Sequence, residues 1–299
     1  MLESKSLNSV KRVTHLLISM GFWGVTYLWN LIRRIAGQDK QGTCVVLYYH
    51  RVPAIDRARF ASQMDALLLL AKPIGMDAAP QSPTATRHVV VTFDDAYESA
   101  IENGLPELKK RGIPATVFVI ANALGQHSGW ENFSSGPAKH DRIISVEQLL
   151  KLQSDAVEIG SHTLNHRMLP SLTEEEARQE IAGSRAKLEN LLGSEVKFFS
   201  FPYGAFNEKL IAMCRDAGYE RVFTTLPLLA FKNPQEFVTG RVSVEPTDWP
   251  LEFRLKLLGA YRWLPLAFAL KRRILSPFLM RAAGKSQPVA YAPRRDANS

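Results

Sequence analysis

Two adjacent carboxylates, Asp94 and Asp95, stand at the end of the clearest strand signal in the sequence. Residues 89–93 begin with consecutive valines, and such β-branched runs favour a buried strand over a helix. In folds made of parallel strands, reactive side chains gather where the strands end. The two acids could therefore perform acid–base chemistry or bind a cation, although an Asp pair after a strand can also simply form a turn.

Two histidines, His162 and His166, follow a second short strand signal at 157–160. Their spacing predicts two imidazoles on one side of a helical turn, where both could reach one ion. One carboxylate and two imidazoles would leave a zinc ion with an open coordination position, as in catalytic sites. The second carboxylate could then accept a proton from water. Surface histidines at this spacing are common, so the pair alone is a weak signal.

Alternating strand and helix signals surround these residues and indicate the scaffold that positions them. Strand signals lie at 43–49, 89–93, 115–120, 157–160, 198–201, 221–225 and 237–244, and helical signals lie at 57–71, 98–111, 145–153, 173–192 and 208–217. This alternation predicts βαβ units and therefore a parallel α/β fold. Parallel strands would bring the acids and the histidines to the same rim.

Three motifs, in this order along the chain, resemble those of the polysaccharide deacetylase family, the NodB-homology group of carbohydrate esterases. They are Thr-Phe-Asp-Asp at 92–95, Ser-His-x-x-x-His at 161–166 and Phe-Pro-Tyr-Gly at 201–204. The resemblance covers about residues 43–244. It implies a distorted (β/α) barrel of the NodB-homology type, with N- and C-terminal helical extensions, and a metal-dependent hydrolysis of an N- or O-acetyl group from a sugar.

The first two motifs imply the reactive residues by matching position. Asp94 matches the catalytic base, and the metal ligands would be Asp95, His162 and His166. Two histidines and one aspartate suit Zn²⁺, although cobalt or nickel could also serve.

The third motif implies contacts with the substrate. Tyr203 matches the residue whose backbone N–H stabilises the oxyanion, and a rigid turn would hold that donor in place. Pro202 and Tyr203 would also line the substrate site. Asp248 and Trp249 resemble, more loosely, an Asp/Trp motif that lines the active-site groove, so Trp249 is a further candidate for substrate binding.

Two departures from the family pattern require substitutes. Ser200 occupies the position where the family usually has an Arg that braces the catalytic aspartate, and we expect Arg241, or failing that Arg51, to replace it. The family's late histidine, the general acid, is also missing, because no histidine follows His166. His50 ends the first strand and resembles an acid that arrives from the N-terminal side in one branch of the family. The alternative for Arg241 is a solvated charge at the end of a strand, and the alternative for His50 is a histidine that is hydrogen-bonded in the core.

The 299 residues carry a formal net charge of +8, which favours anionic partners. Nothing resembles a nucleic-acid module, so an anionic lipid surface is the better expectation. The two cysteines are expected to be buried free thiols. We predict three parts: an apolar, basic helical extension at 1–40, the deacetylase domain at 41–250, and a basic amphipathic helix with a disordered tail at 251–299.

Residues 15–32 are apolar and aromatic and approach the length of a bilayer crossing. We expect an interfacial or anchoring helix with Trp23, Tyr27 and Trp29 at the headgroup level. The alternative is a helix packed on the flank of the domain. We therefore expect the protein to associate with a membrane, on its cytoplasmic or its periplasmic side. The alternative is a cytoplasmic protein.

The sequence thus predicts a metal-dependent deacetylase that acts on N-acetylated sugars of a polysaccharide or lipid-linked glycan. The alternative is a non-catalytic glycan- or lipid-binding module on the same fold, because the motif Arg is missing at Ser200. A glycosidase fits poorly, since its two carboxylates must stand several ångströms apart across the sugar.

Overall fold

Strands and helices alternate along the chain. The computed structural model describes residues 2–37, 42–77, 86–128, 141–154, 157–233 and 235–270. The strands are β1 (Thr43–Tyr49), β2 (Lys72–Pro73), β3 (Arg87–Phe93), β4 (Ala115–Val119), β5 (Glu158–Ser161), β6 (Phe198–Ser200), β7 (Arg221–Phe223), β8 (Val238–Thr239) and β9 (Val242–Ser243). The helices are α1 (Leu2–Ile35), α2 (Arg57–Leu70), α3 (Leu105–Lys110), α4 (Val146–Ser154), α5 (Glu174–Leu192), α6 (Glu208–Asp216) and α7 (Pro250–Leu257).

The strands form one parallel sheet in the order β8-β7-β6-β5-β4-β3-β1-β9, with β2 paired to the start of β3. Only residues 240 and 241 separate β8 from β9, which lie at opposite ends of this order. Three Cα steps span at most about 11 Å, so the two edges of the sheet lie side by side. The sheet is therefore curled into the distorted (β/α) barrel that the sequence predicted.

The prediction of one continuous strand at 237–244 is wrong, because this segment forms two short strands. It is divided into β8, which pairs with β7, and β9, which pairs with β1. Gly240 lies between them against the carbonyl oxygen of Leu226, where a Cβ would collide with the backbone. The chain passes there from one edge of the sheet to the other, and Arg241 occupies this closing segment.

Alternate residues of β1 face different layers of the molecule, as strand geometry requires. Cys44 and Val46 join an inner cluster with Phe118, Phe198 and Phe223, which fills the barrel. The residues between them join the larger cluster that the sheet shares with the helices. Both cysteines are buried and free, as predicted. The interior of the barrel is therefore packed with side chains.

The predicted helix at 98–111 has a wider turn than expected. Residues Ala100–Gly104 form a π-helical segment before α3 begins. Pro106 in the first turn of α3 has no N–H to continue regular helical bonding, which favours a change of pattern there.

Helix α1 packs on α7 through one of its faces. Arg12 forms an ion pair with Glu252, with 2.6 Å between Nη2 and Oε2, and Trp263 Nε1 donates a hydrogen bond to Ser19 Oγ at 2.9 Å. No helix among the described residues is both long enough and apolar enough to span a bilayer. The predicted C-terminal helix is interrupted after α7, is helical again at 264–270, and lies outside the described residues from 271 onwards.

Candidate metal centre and active site

Asp95, His162 and His166 lie together where β3 and β5 end. All three are buried, and one donor atom from each lies within 4.8 Å of the others. Asp95 Oδ1 is 3.4 Å from Nε2 of His162 and 3.4 Å from Nε2 of His166. The three residues that the motifs nominated as metal ligands are thus brought together at one rim of the barrel.

The two histidines are not on a helical turn, which corrects the interpretation of their spacing. They lie in an irregular loop in which Thr163 and His166 have left-handed backbones, with φ of 69° and 55°. The backbone N–H of His166 donates to Thr163 Oγ1 at 2.9 Å, a local bond that competes with helix formation. The folded loop still places the ring centroids 4.9 Å apart.

The protonation of His162 is determined by its hydrogen bond to Ser200. His162 Nδ1 lies 2.8 Å from the Ser200 carbonyl oxygen, which can only accept, so Nδ1 carries the proton. Burial lowers the pKa of His162 to about 4, and the ring is neutral at neutral pH. The lone pair of Nε2 therefore faces the carboxylate of Asp95. Two acceptors at this distance fit a shared cation, and the residues accordingly suit a divalent metal ion.

His166 is oriented by Tyr203. The Nδ1 atom of His166 is 3.2 Å from the Tyr203 hydroxyl, and the two rings are 4.6 Å apart between centroids. Burial, followed by the neighbouring His162, lowers the pKa of His166 to about 2. Its Nε2 is consequently available as a neutral ligand. The sequence nominated the backbone of Tyr203 and missed this contact of its side chain.

Asp94 forms a buried two-point ion pair with Arg241. Arg241 Nη1 and Nη2 each donate to one carboxylate oxygen at 2.7 Å, and Nη2 also donates to Ser200 Oγ at 2.6 Å. Burial alone would raise the pKa of Asp94, but Arg241 and His162 lower it to about 2. Asp94 is thus held ionised, and Ser200 leaves room for the incoming guanidinium.

Arg241 reaches Asp94 from the closing segment of the barrel. Its side chain is fully buried, and its guanidinium carbon lies 4.6 Å from the ring centroid of Tyr48 and 5.1 Å from that of Phe118. Arg51, the other residue that the sequence offered, is 3.3 Å from Asp141 and stacks on a different ring. The structure therefore brings Arg241, and not Arg51, to Asp94.

His50 follows β1 and is partly buried beside the same group of residues. Its ring is 5.6 Å from that of Tyr48. Burial raises the pKa of Asp94, and His50 lowers it after the larger effects of Arg241 and His162, so the two side chains are electrostatic neighbours. The placement is compatible with a proton donor at this rim.

The two other sequence candidates lie in different places. Pro202 is buried and precedes Tyr203, which is 51% exposed at the rim. Trp249 instead lies before α7, with the Arg12 guanidinium 4.4 Å from its ring centroid, in a groove of about 720 Å³ between α1, α2 and α7. Among the described residues, no side chain of the metal centre lines this groove. The structure does not bring Trp249 to the metal centre.

Backbone strain is concentrated in the three motifs. Of the six non-glycine residues with positive φ in the described part of the chain, five lie in or beside a motif, namely Asp95, Ala96, Thr163, His166 and Tyr203. Gly204 continues the last of these turns with φ of 63°, and a Cβ there would collide with Thr225. Such conformations cost energy and persist where the surrounding structure imposes them, often at functional sites.

Glu180 is a positioning residue that the sequence did not reveal. It lies on α5, is 3% exposed, and faces the loop between the two histidines. Its carboxylate accepts from the backbone N–H of Asn165 at 2.9 Å and from Asn165 Nδ2 at 2.7 Å. A charge-assisted pair of this kind fixes the loop in its strained shape. Only the tertiary contact distinguishes Glu180 from the other acids of a polar helix.

We expect Glu180→Ala to weaken metal binding by about 10–100-fold, the usual effect of losing a contact that orients ligands. The partly buried backbone N–H of Asn165 would also lose its acceptor, which destabilises the fold by about 1 kcal/mol. Competition with a chromophoric chelator measures the affinity. Glu175→Ala, at an exposed position of the same helix, is the matched control. Equal affinities of the two variants would contradict this role for Glu180.

Known proteins share both the sequence pattern and the fold. The sequence model of the polysaccharide deacetylase family matches residues 81–222. A putative polysaccharide deacetylase, YxkH of Bacillus subtilis, is 25% identical over 70% of this chain and 74% of its own length. The poly-β-1,6-N-acetyl-D-glucosamine N-deacetylases of Staphylococcus aureus are 26% identical over 53% of this chain, which spans about half of their length (54%).

Solved structures extend the comparison to the fold. IcaB from Ammonifex degensii is 28% identical, with a TM-score of 0.60 over 72% of this chain and 97% of that protein. The deacetylase PplD of Streptococcus pyogenes, solved with acetate, is 17% identical with a TM-score of 0.60 over 73% and 99%, a likeness of fold alone. Residues 81–222 match the polysaccharide deacetylase family, the family that the three motifs predicted.

Proposed function

We propose that this protein is a metal-dependent deacetylase that hydrolyses N-acetyl groups from amino sugars of a glycan. The observation that carries the proposal is the buried Asp95, His162 and His166 cluster, which lies beside the ionised carboxylate of Asp94. A metal ion that activates water and a base that accepts its proton are the two parts of metal-assisted amide hydrolysis. The N-acetylglucosamine polymer named for the Staphylococcus aureus relatives supports this substrate class.

Asp95, His162 and His166 would hold the ion, for which we propose zinc because a mixed set of nitrogen and oxygen donors suits it. The ion would polarise the acetyl carbonyl and make water more acidic. Asp94 accepts the proton of that water as its oxygen adds to the acetyl carbon. Arg241 keeps the carboxylate ionised and fixed in direction throughout.

Tyr203 and His50, at the rim of the barrel, would stabilise the oxyanion and protonate the leaving amine. The backbone N–H of Tyr203, on the turn that begins at Pro202, stabilises the oxyanion. His50 donates a proton to the sugar nitrogen as the carbon–nitrogen bond breaks. The products are acetate and the free amine. Trp249 would contact only a longer glycan that reaches its separate groove.

A non-catalytic module on the same fold was favoured only by the missing Arg at position 200. The ion pair between Arg241 and Asp94 supplies that cation from another part of the chain. The candidate ligands and the candidate base are present together, and the enzymatic function is therefore the better supported of the two.

The function is tested with purified full-length protein on β-1,6- and β-1,4-linked N-acetylglucosamine oligomers. We expect equal amounts of acetate and free amine, loss of release after chelation, and recovery on adding Zn²⁺. An O-acetylated sugar serves as the control for ester hydrolysis. If metal-loaded protein releases no acetate from either N-acetylated oligomer, the proposed substrate class is wrong.

A further inference from the structure

Helix α1 exposes an apolar face along most of its length. Val10, Leu17, Leu28 and Ile35 are 60%, 62%, 57% and 80% exposed. At about 100° per residue these positions lie within about 20° of one another on the helix, along a line of about 38 Å. Such a surface is larger than the scattered apolar residues of an ordinary protein exterior.

The opposite face of α1 attaches the helix to the protein. Arg12 bonds to Glu252 and Ser19 to Trp263, and Leu16 packs on the small cluster of Leu255, Ala260 and Tyr261. The exposed line of residues therefore faces away from the barrel. The helical segment at 264–270, which follows Trp263, also exposes the apolar side chains of Leu266, Phe268 and Leu270.

In the part of α1 that begins at Val10, all charges have one sign. From Val10 onwards its charged residues are Lys11, Arg12, Arg33 and Arg34, and residues 13–32 contain neither acid nor Lys or Arg. Arg12 is neutralised by Glu252. Basic residues thus flank an uncharged apolar span at both ends, a pattern that complements an anionic surface.

Large aromatic side chains widen the apolar surface in the second half of α1. Trp23, Tyr27 and Trp29 are 37%, 59% and 61% exposed, and Trp23 stacks on Tyr27 with 5.4 Å between centroids. They point in several directions around the helix and do not form a narrow seam. A helix pair buries a narrow seam, whereas tryptophan and tyrosine favour the interface of a bilayer.

We propose that α1 docks this protein onto an anionic phospholipid surface, lying in the plane of the interface with its outward face inserted among the lipids. Arg33 and Arg34 contact the headgroups at one end and Lys11 does so at the other. This inference is independent of the deacetylase function, because it uses none of the residues of the metal centre.

The test is flotation of the full chain with vesicles of phosphatidylglycerol and phosphatidylcholine, compared with phosphatidylcholine alone. The variant L17E/L28E places two charges on the exposed line. L69E/L150E is the matched control, since both of its leucines are exposed on other helices, at 83% and 42%. Circular dichroism and thermal unfolding establish that each variant is folded.

We expect wild type and the control to float with anionic vesicles, and to float less with neutral ones or at high salt. The partition coefficient of L17E/L28E should fall by about a hundredfold, from the loss of two inserted leucines. Equal flotation of L17E/L28E and wild type, or no flotation of wild type, would overturn the proposal. A dimer in light scattering that L17E/L28E abolishes, without flotation, would assign the face to a second copy instead.

Discussion

Asp94→Asn is expected to lower kcat for acetate release by about 10²–10⁴-fold, the contribution of a positioned general base. The amide keeps the shape of the side chain but cannot accept the proton from water. Because Asp95, His162 and His166 are unchanged, the variant should still bind a metal ion. Acetate release and metal content are measured on the same preparation.

Asp65→Asn is the control for this substitution, because Asp65 is an exposed acid that pairs with Arg111 on the outer helices. It should leave kcat unchanged. Asp94→Asn also leaves the Arg241 guanidinium without its carboxylate, and so its thermal unfolding must be compared with that of wild type. A folded, metal-loaded Asp94→Asn protein with wild-type kcat would exclude Asp94 as the base.

Arg241→Met should destabilise the protein more than Glu180→Ala does. It leaves the carboxylate of Asp94 buried without its partner, which costs about 3–5 kcal/mol in the free energy of unfolding. Activity should fall as well, since the carboxylate loses the two bonds of 2.7 Å that fix its direction. Denaturant unfolding and kcat provide the two measurements.

A double variant separates the two effects of Arg241. Asp94→Asn with Arg241→Met removes both charges, so the unfolding free energy should recover in part while activity stays low. Arg241→Lys should retain more stability than Arg241→Met, but a single ammonium cannot reproduce the two-point contact. If Arg241→Met were as stable and as active as wild type, the ion pair would have neither function.

The parts of this site that follow strand ends could be predicted from sequence. Asp94, Asp95 and His162 come directly after runs of buried strand, and parallel strands deliver such residues to one rim whatever the loops between them do. Arg241 was also identified from its position near the last strand signal. The periodicity of the chain gave the positions of the two acids and His162, whereas their roles and the need for Arg241 came from the resemblance to the family.

The remaining features depend on contacts between distant segments. The loop from His162 to His166 is held by hydrogen bonds to Thr163 and to Glu180, which lies on a later helix. The spacing of the two histidines contains no sign of these contacts and therefore suggested a helical turn. The division between β8 and β9 arises where Gly240 meets a backbone carbonyl of another segment. The position of Trp249 depends on α1, whose packing the sequence left open.

The most direct test is whether the buried cluster binds a metal ion. Metal-free protein is titrated with Zn²⁺, and the bound ions are counted by mass spectrometry. Wild type should bind one ion per chain at Asp95, His162 and His166, and Asp95→Ala should bind it far more weakly while remaining folded. A wild-type protein that binds no divalent ion, or an Asp95→Ala variant that binds it equally well, would contradict a metal centre at this rim.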